Sequence, residues 1–258
     1  MISAGIDAGG ERLKAVIFGR GGILAWSAVP YRKGSILTHA NAALNEALMK
    51  VALRRDQIEY IVATGSEGEE VSFADERCAE ASCCARGVTY LLPSTRTVID
   101  IGADKIMVLR IQDGIIMRSA RNDKCASGTS RYLNTVCRVL QVDEEEAARL
   151  SLQSRNPADL KSSCAVFIES EIISLIHGAG LAKEDILRGA FNALAKNIYS
   201  LLVKVTFQKD VTITGGLAVN RGIIRAIEEQ IGFSPLVPDE PSIVVALGAS
   251  ILAHEKIQ

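Results

Sequence analysis

Residues 5–10 read Gly5-Ile6-Asp7-Ala8-Gly9-Gly10, an apolar stretch that ends in an aspartate followed by glycines. The chain repeats this pattern near its middle as Val98-Ile99-Asp100-Ile101-Gly102. Each copy continues into an apolar strand, a glycine turn and a second strand, at residues 13–18, 21–22 and 23–29 in the first copy and 106–111, 113–114 and 115–118 in the second. The repetition predicts two related α/β domains.

A helix is predicted after each copy, over residues 38–53 and 127–140. The rest of the chain is typical of helices, with one clear strand at residues 211–214. The further helices are predicted over residues 165–177, 183–207, 219–231 and 243–256. Because Pro93 interrupts any helix that would continue through it, we place the boundary there and expect domains at residues 1–93 and 94–258.

The composition is that of an ordinary globular protein: 258 residues, 48% hydrophobic and 23% charged, with a net charge of -1. Five per cent aromatic residues and no dense Lys/Arg stripe argue against a nucleic-acid partner. The N-terminus has no basic segment followed by a long apolar one, so we expect no signal peptide, no membrane span and a cytoplasmic location. For the six cysteines, that reducing compartment favours free, buried or metal-bound thiols over disulfides.

The aspartate and glycine turns predict a nucleotide site. A strand that ends in Asp and continues with Gly presents a carboxylate where the backbone can approach a ligand closely. Two such turns facing across a cleft can hold hydrated Mg²⁺ while glycine N–H groups bind phosphates. A third turn, Thr214-Gly215-Gly216, leads from a strand into a helix and borders a nucleoside in this interpretation. Each turn alone is equally typical of a plain turn, but three at matching places favour nucleotide binding.

Two cysteines, Cys125 and Cys164, each precede a predicted helix. Amide N–H groups and the positive end of the helix dipole stabilise a thiolate there, which makes the sulfur a good metal ligand. A four-iron cluster usually takes four Cys ligands, so a two-fold dimer would supply two from each chain. A redox disulfide stays open, whereas zinc is disfavoured because neither cysteine has a Cys-x-x-Cys or His partner. The other cysteines, in segments that are typical of helices, are expected in the core: Cys78, Cys83, Cys84 and Cys137.

The three turns resemble those of the actin, heat-shock chaperone and sugar kinase superfamily. The resemblance implies two ribonuclease H-like domains that bind ATP and Mg²⁺ in the cleft between them. It also implies the members of three loops: Asp7, Gly9, Gly10 and Lys14 for the first phosphate loop, Asp100 and Gly102 for the second, and Thr214, Gly215 and Gly216 for adenosine.

The two cysteine segments, residues 122–129 and 164–171, resemble those of the ATP-dependent activators of 2-hydroxyacyl-CoA dehydratases and of the ATPase subunits of benzoyl-CoA reductase. The resemblance implies a homodimer with one [4Fe-4S] cluster at its interface, ligated by Cys125 and Cys164 of each subunit. Because such a cluster would lie close to solvent, we expect it to be sensitive to oxygen. ATP hydrolysis would drive one electron to an iron–sulfur dehydratase or reductase partner, with ferredoxin or flavodoxin as the donor. A heteromeric ATPase, of which this chain is one half, is an alternative assembly.

The phosphate loops depart from the family pattern. Gly10 and Glu11 replace a Ser-Thr pair, and Ala103 and Asp104 replace Gly-Gln. We expect Asp100 to orient the metal or the attacking water, with Asp7 as its counterpart. Asp104 either weakens ATP binding through its negative charge or positions water differently, and the sequence equally allows Glu11 or Asp104 to face solvent instead. Because the loops depart from the family pattern, two functions other than that of an activator stay open. They are a catalytically weak regulatory or scaffold ATP-binding protein, and a small-molecule kinase.

Overall fold

A computed structural model describes residues 1–31, 33–122, 129–161 and 167–258 as a mixed α/β protein. The strands in these residues are β1 (Ile2–Ala8), β2 (Arg12–Gly19), β3 (Gly22–Pro30), β4 (Tyr60–Thr64), β5 (Glu76–Arg77), β6 (Thr97–Ile101), β7 (Ile106–Gln112), β8 (Ile115–Asn122) and β9 (Val211–Thr214). The α-helices are α1 (Ile36–Lys50), α2 (Glu80–Leu91), α3 (Ser130–Leu140), α4 (Glu144–Ser151), α5 (Ile168–Ala179), α6 (Lys183–Val205), α7 (Arg221–Ile231) and α8 (Val244–Glu255).

The strands form two sheets that repeat one arrangement. The first sheet has the order β3-β2-β1-β4-β5, and the second has the order β8-β7-β6-β9. In the first sheet β1 is antiparallel to β2 and parallel to β4. In the second, β6 is antiparallel to β7 and parallel to β9. The carboxyl ends of β1 and β4, and those of β6 and β9, therefore lie side by side.

The described residues form two compact units. Unit 1 contains residues 1–95, 111–117 and 238–258, and unit 2 contains residues 96–110 and 118–237. The predicted domains, 1–93 and 94–258, stay a prediction, but this grouping differs from them because unit 1 also contains residues 94–95, 111–117 and 238–258. Residues 238–258, which include α8, pack in unit 1.

In unit 1 the sheet is covered by helices on both faces. Helix α1 begins after Ser35, whose side chain accepts a hydrogen bond from the Thr38 N–H group, and it packs its buried residues on β1 and β2. Helix α8 lies against the strand backbone at Gly5, where a Cβ atom would come within 2.1 Å of the Ala246 carbonyl oxygen. Only a residue without a side chain permits this approach.

In unit 2 the core forms around α6, whose buried residues include Phe191. Helix α7 begins at Arg221 rather than at the predicted residue 219, because Asn220 caps it by accepting from the Ile223 N–H group at 3.2 Å. Residues 216–219 form a short 3₁₀ turn between β9 and α7. No helix in the described part of the chain is both long enough and apolar enough to cross a membrane.

Candidate active site

The first aspartate loop begins at the carboxyl end of β1. Asp7 is buried, with 4% of its surface exposed, and lies opposite Lys14 on β2. Lys14 Nζ donates to Asp7 Oδ2 at 2.9 Å. A Cβ atom on Gly9 would lie 3.7 Å from Lys14 Nζ and 3.9 Å from Asp7 Oδ1, so the glycine backbone borders both charged groups. Gly10 and Glu11, which follow, are half-buried.

A turn after β4 lies beside Asp7. Thr64, the last residue of β4, is the register partner of Asp7 in the parallel ladder. The next residue, Gly65, has a φ angle of +95°, which favours glycine. A Cβ atom there would lie 2.7 Å from Asp7 Oδ1. The turn therefore packs directly against the Asp7 carboxylate.

Unit 2 contains the same arrangement. Asp100 on β6 is buried, and its register partner on β9 is Thr214. Thr214 Oγ1 donates a hydrogen bond to Asp100 Oδ1 at 2.9 Å. Gly215 has a φ angle of +93°, and a Cβ atom there would lie 2.4 Å from the Ile101 carbonyl oxygen. Each sheet thus brings together an Asp, a Thr on the parallel neighbour and a Gly with positive φ.

The antiparallel neighbours of the two aspartates differ in charge. β2 places Lys14 opposite Asp7, whereas β7 places Met107 opposite Asp100. A lysine ammonium compensates the Asp7 carboxylate within its own unit. At Asp100 the thioether of the register partner cannot do so.

The loop after β6 joins the start of α3. Gly102 N donates to the Lys105 carbonyl oxygen at 3.0 Å, which closes the loop. Its carbonyl oxygens accept from the helix: Gly102 from Ser130 N at 3.5 Å, and Ala103 from Arg131 N at 3.4 Å. Asp104, which is exposed, forms an ion pair with Arg131. Its negative charge, which the sequence leaves uncompensated, therefore has a cationic partner.

A groove of about 950 Å³ lies beside the third turn, within unit 2. Glu144 on its wall has an exposed side chain, and partial desolvation together with the neighbouring Asp143 raises the pKa of its carboxyl group. Asn220 donates to the Glu144 carbonyl oxygen at 3.4 Å and so ties α7 to α4. The groove is lined by Asp143, Glu144, Glu145, Glu146, Ala148, Arg149, Leu152, Val219, Asn220 and Arg221.

The two predicted cluster ligands, Cys125 and Cys164, lie outside the described residues. The helices that follow them, α3 and α5, are linked by an ion pair between Arg138 and Glu169 at 2.8 Å. Within the described ranges, no three His, Cys, Asp or Glu side chains form a group that could hold a metal ion.

The other cysteines occupy the positions expected of core residues, with one exception. Cys83, Cys84 and Cys137 are buried in helices. Burial raises the pKa of the Cys83 and Cys137 thiols to about 12, so both stay protonated at neutral pH. The helical prediction was wrong for Cys78, which is half-buried in the connection between β5 and α2.

A model of the BadF/BadG/BcrA/BcrD ATPase family matches residues 4–253, which include both aspartate loops and the third turn. The chain belongs to this family. The 2-hydroxyisocaproyl-CoA dehydratase activator of Clostridioides difficile is 37% identical over 258 residues, covering 99% of this chain and 96% of the relative. One of the benzoyl-CoA reductase subunits of Thauera aromatica is 31% identical over 271 residues, covering 99% and 95%.

A solved structure shows the same fold. The activator of the 2-hydroxyisocaproyl-CoA dehydratase from Clostridium difficile, solved with bound ADPNP, matches with a TM-score of 0.93 and 36% identity over 99% of this chain and 95% of that chain. The predicted family and fold class are confirmed. The relatives are dehydratase activators and a reductase component, which supports ATP binding and hydrolysis by this ATPase family.

Proposed function

We propose that the chain hydrolyses ATP and couples the hydrolysis to transfer of single electrons, through a [4Fe-4S] cluster, to a dehydratase or reductase partner. The repeated Asp, Thr and Gly arrangement at the strand ends is the observation that carries the proposal. It places a buried carboxylate beside a tight turn in each unit, as phosphate and metal binding require. Membership of an ATPase family supports the same chemistry.

Each loop has a proposed role in hydrolysis. Lys14 would donate to phosphate oxygens, and the backbone N–H groups of Gly9 and Gly102 would bind others. Asp100 would bind Mg²⁺ or orient the attacking water, with Asp7 as its counterpart in the first loop. Mg²⁺ suits this donor set, since it keeps several waters and needs only one or two carboxylates besides the phosphates. When bound, it neutralises charge on the transferring phosphoryl group.

The nucleoside is proposed to bind beside the third turn. Gly215 and Gly216 let the chain pass close to a ligand, and the groove next to α7 has room for one. Carboxylates on its wall, Glu145 among them, can accept hydrogen bonds from ribose hydroxyl groups. This assignment agrees with the adenosine loop that the sequence predicts.

The cluster and the assembly are proposed from the cysteine segments. Cys125 and Cys164 of two subunits would together ligate one [4Fe-4S] cluster, which would make the protein a homodimer. The partner would be a 2-hydroxyacyl-CoA dehydratase or a related reductase, as the relatives are activators of such enzymes or a reductase component. Ferredoxin or flavodoxin would supply the electron.

Anaerobic purification followed by iron analysis tests the cluster. We expect about four iron atoms per two chains, and a loss of most iron in Cys125→Ser and in Cys164→Ser, since a hydroxyl is a poor ligand for iron. Cys78→Ser is the matched control, because that thiol is half-buried and is not a proposed ligand. Four iron atoms bound by each monomer, or a cluster retained in both variants, would contradict the bridging arrangement.

The same preparation separates the rival functions. An activator passes an electron to a 2-hydroxyacyl-CoA dehydratase only when ATP is hydrolysed, which a spectroscopic assay of the reduced partner can follow. A small-molecule kinase would transfer phosphate to an acceptor rather than to water. A scaffold would bind ATP without turning it over.

A further inference from the structure

The hydroxyl group of Thr64 is buried and lacks a hydrogen-bond partner among the described residues. Thr64 is 2% exposed, and its Oγ1 atom has no hydrogen-bond partner within the residues that the structure describes. Buried hydroxyl groups in proteins nearly always have a partner, because burial without one is unfavourable. A group of this kind beside a proposed reaction site therefore needs an explanation.

The surroundings of Thr64 include one strong acceptor and one weak group. Thr64 is the register partner of Asp7, whose Oδ2 atom is bound by Lys14 and whose Oδ1 atom borders the Gly65 turn. The thiol of Cys83 lies near Thr64, and the hydroxyl lowers its pKa against the larger effect of burial. That pair does not satisfy hydrogen-bond geometry, and a thiol is a weak partner in any case.

Unit 2 contains the hydrogen bond that unit 1 lacks. There the register-equivalent hydroxyl, that of Thr214, donates to Asp100 Oδ1 at 2.9 Å. The two Thr residues occupy the same place in the repeated sheet, at the end of the strand parallel to the aspartate strand. The two units also differ in the residue that is paired with the aspartate on the antiparallel strand. It is Lys14, which binds Asp7, in unit 1 and the uncharged Met107 in unit 2.

We infer that Thr64 is a positioning residue, which donates to Asp7 when the phosphates of the bound nucleotide draw Lys14 away. The inference rests on the proposed function, because a phosphate ligand must compete for the lysine. A buried carboxylate that loses its cation is costly unless another donor replaces it. The hydroxyl of Thr64 supplies that donor, and it holds the Asp7 carboxylate in place during hydrolysis.

The test compares Thr64→Val with Thr64→Ser. Valine has the shape of threonine without the hydroxyl, so the fold loses no partner in the nucleotide-free state. We expect the Tm without nucleotide to stay unchanged or to rise by a few degrees. In a chain of this size, a gain in stability equal to that of one weak hydrogen bond raises the Tm by about 2–4 °C. The kcat for Mg²⁺-dependent ATP hydrolysis should fall about tenfold, and serine should restore most of it.

Thr214→Val is the matched comparison for stability. It removes a hydrogen bond that already exists, so its Tm without nucleotide should fall. Opposite effects of the two valine variants on Tm would support the inference, because a merely structural threonine would behave like Thr214. The rise in Tm on adding Mg²⁺ and ADP gives a second readout, and it should be smaller in Thr64→Val than in wild type.

Two results would overturn the inference while leaving the proposed function in place. One is wild-type kcat in Thr64→Val, and the other is a Tm that falls as far as that of Thr214→Val. If the wild-type protein itself neither binds nor hydrolyses ATP, the proposed function fails and the inference falls with it.

Discussion

Asp7 and Asp100 hold matched positions in the two sheets, and the sequence predicts both. Each follows a run of apolar residues and precedes a glycine, so the strand and its turn are visible in the local pattern. Thr64 and Gly65 were not predicted, although Thr64-Gly65 repeats Thr214-Gly215. This repeat is only two residues long. It indicates a matching site only because β4 pairs with β1, which lies more than 50 positions earlier in the chain.

Asp104, which departs from the family pattern in the second phosphate loop, forms an ion pair with Arg131. This ion pair changes the effect that we expect Asp104 to have on ATP binding. The sequence predicts that the extra carboxylate either opposes nucleotide binding or positions water differently. Because Arg131 compensates that charge, we expect Asp104→Asn to change the KM for ATP by less than about twofold. Arg131→Gln should raise this KM about threefold to tenfold, and the double variant should return close to wild type.

Steady-state ATP hydrolysis by wild type, Asp104→Asn, Arg131→Gln and the double variant measures these KM values. Arg225→Gln is the matched control, because Arg225 is an exposed helical arginine that forms ion pairs with Glu228 and Glu229. Loss of kcat by two orders of magnitude in Asp104→Asn would show that Asp104 takes part in the reaction, against our expectation.

The buried thiol of Cys83 should make stability depend on alkaline pH. Its pKa is raised from 9.0 to about 12 in the folded protein. Above pH 9 the unfolded chain has lost this proton while the native state keeps it, so the free energy of unfolding falls as pH rises toward 12. We expect Cys83→Ala to show a shallower decline between about pH 9 and about 11. Urea unfolding over that range measures it, and an unchanged slope would contradict burial of the thiol.

Among the secondary structure elements, those with strong local periodicity were predicted best. β9 has the predicted bounds, and α6 begins at the predicted residue 183. β4 was not predicted, because a five-residue strand without alternating polarity has little local signal. α8 was expected in the second domain, since adjacency in sequence gives no indication that a C-terminal helix packs on the N-terminal sheet.

The packing of α8 on α2 gives a prediction for stability. A Cβ atom on Gly248 would lie 1.7 Å from the Cys83 carbonyl oxygen, so the two helices must separate to admit it. We expect Gly248→Ala to lower the free energy of unfolding by about 3 kcal/mol or more. Gly178→Ala is the control, since it is also helical but, among the described residues, only its chain neighbours and the backbone of its own helix lie within 4 Å of the added carbon, and it should be neutral or stabilising by up to about 1 kcal/mol. Equal stability of both variants would contradict the close packing.

For the whole molecule, the duplicated aspartate loops predicted the α/β class and the superfamily, and the cysteine segments predicted the family. Both kinds of signal are local, because each consists of a few consecutive residues in the sequence. These local signals did not predict which residues belong to each of the two compact units. It depends on the return of residues 238–258 to unit 1 and on the inclusion of residues 111–117 there.

Each aspartate loop is proposed to bind ATP and Mg²⁺, and the other proposed roles in hydrolysis depend on that binding. Phosphate release by anaerobically purified protein, with and without Mg²⁺, tests it directly in wild type, Asp7→Ala and Asp100→Ala. We expect Mg²⁺-dependent hydrolysis in wild type, a loss of at least about a hundredfold in each variant, and circular dichroism spectra that match wild type. Unchanged Mg²⁺-dependent turnover in both variants would contradict the assignment of the loops.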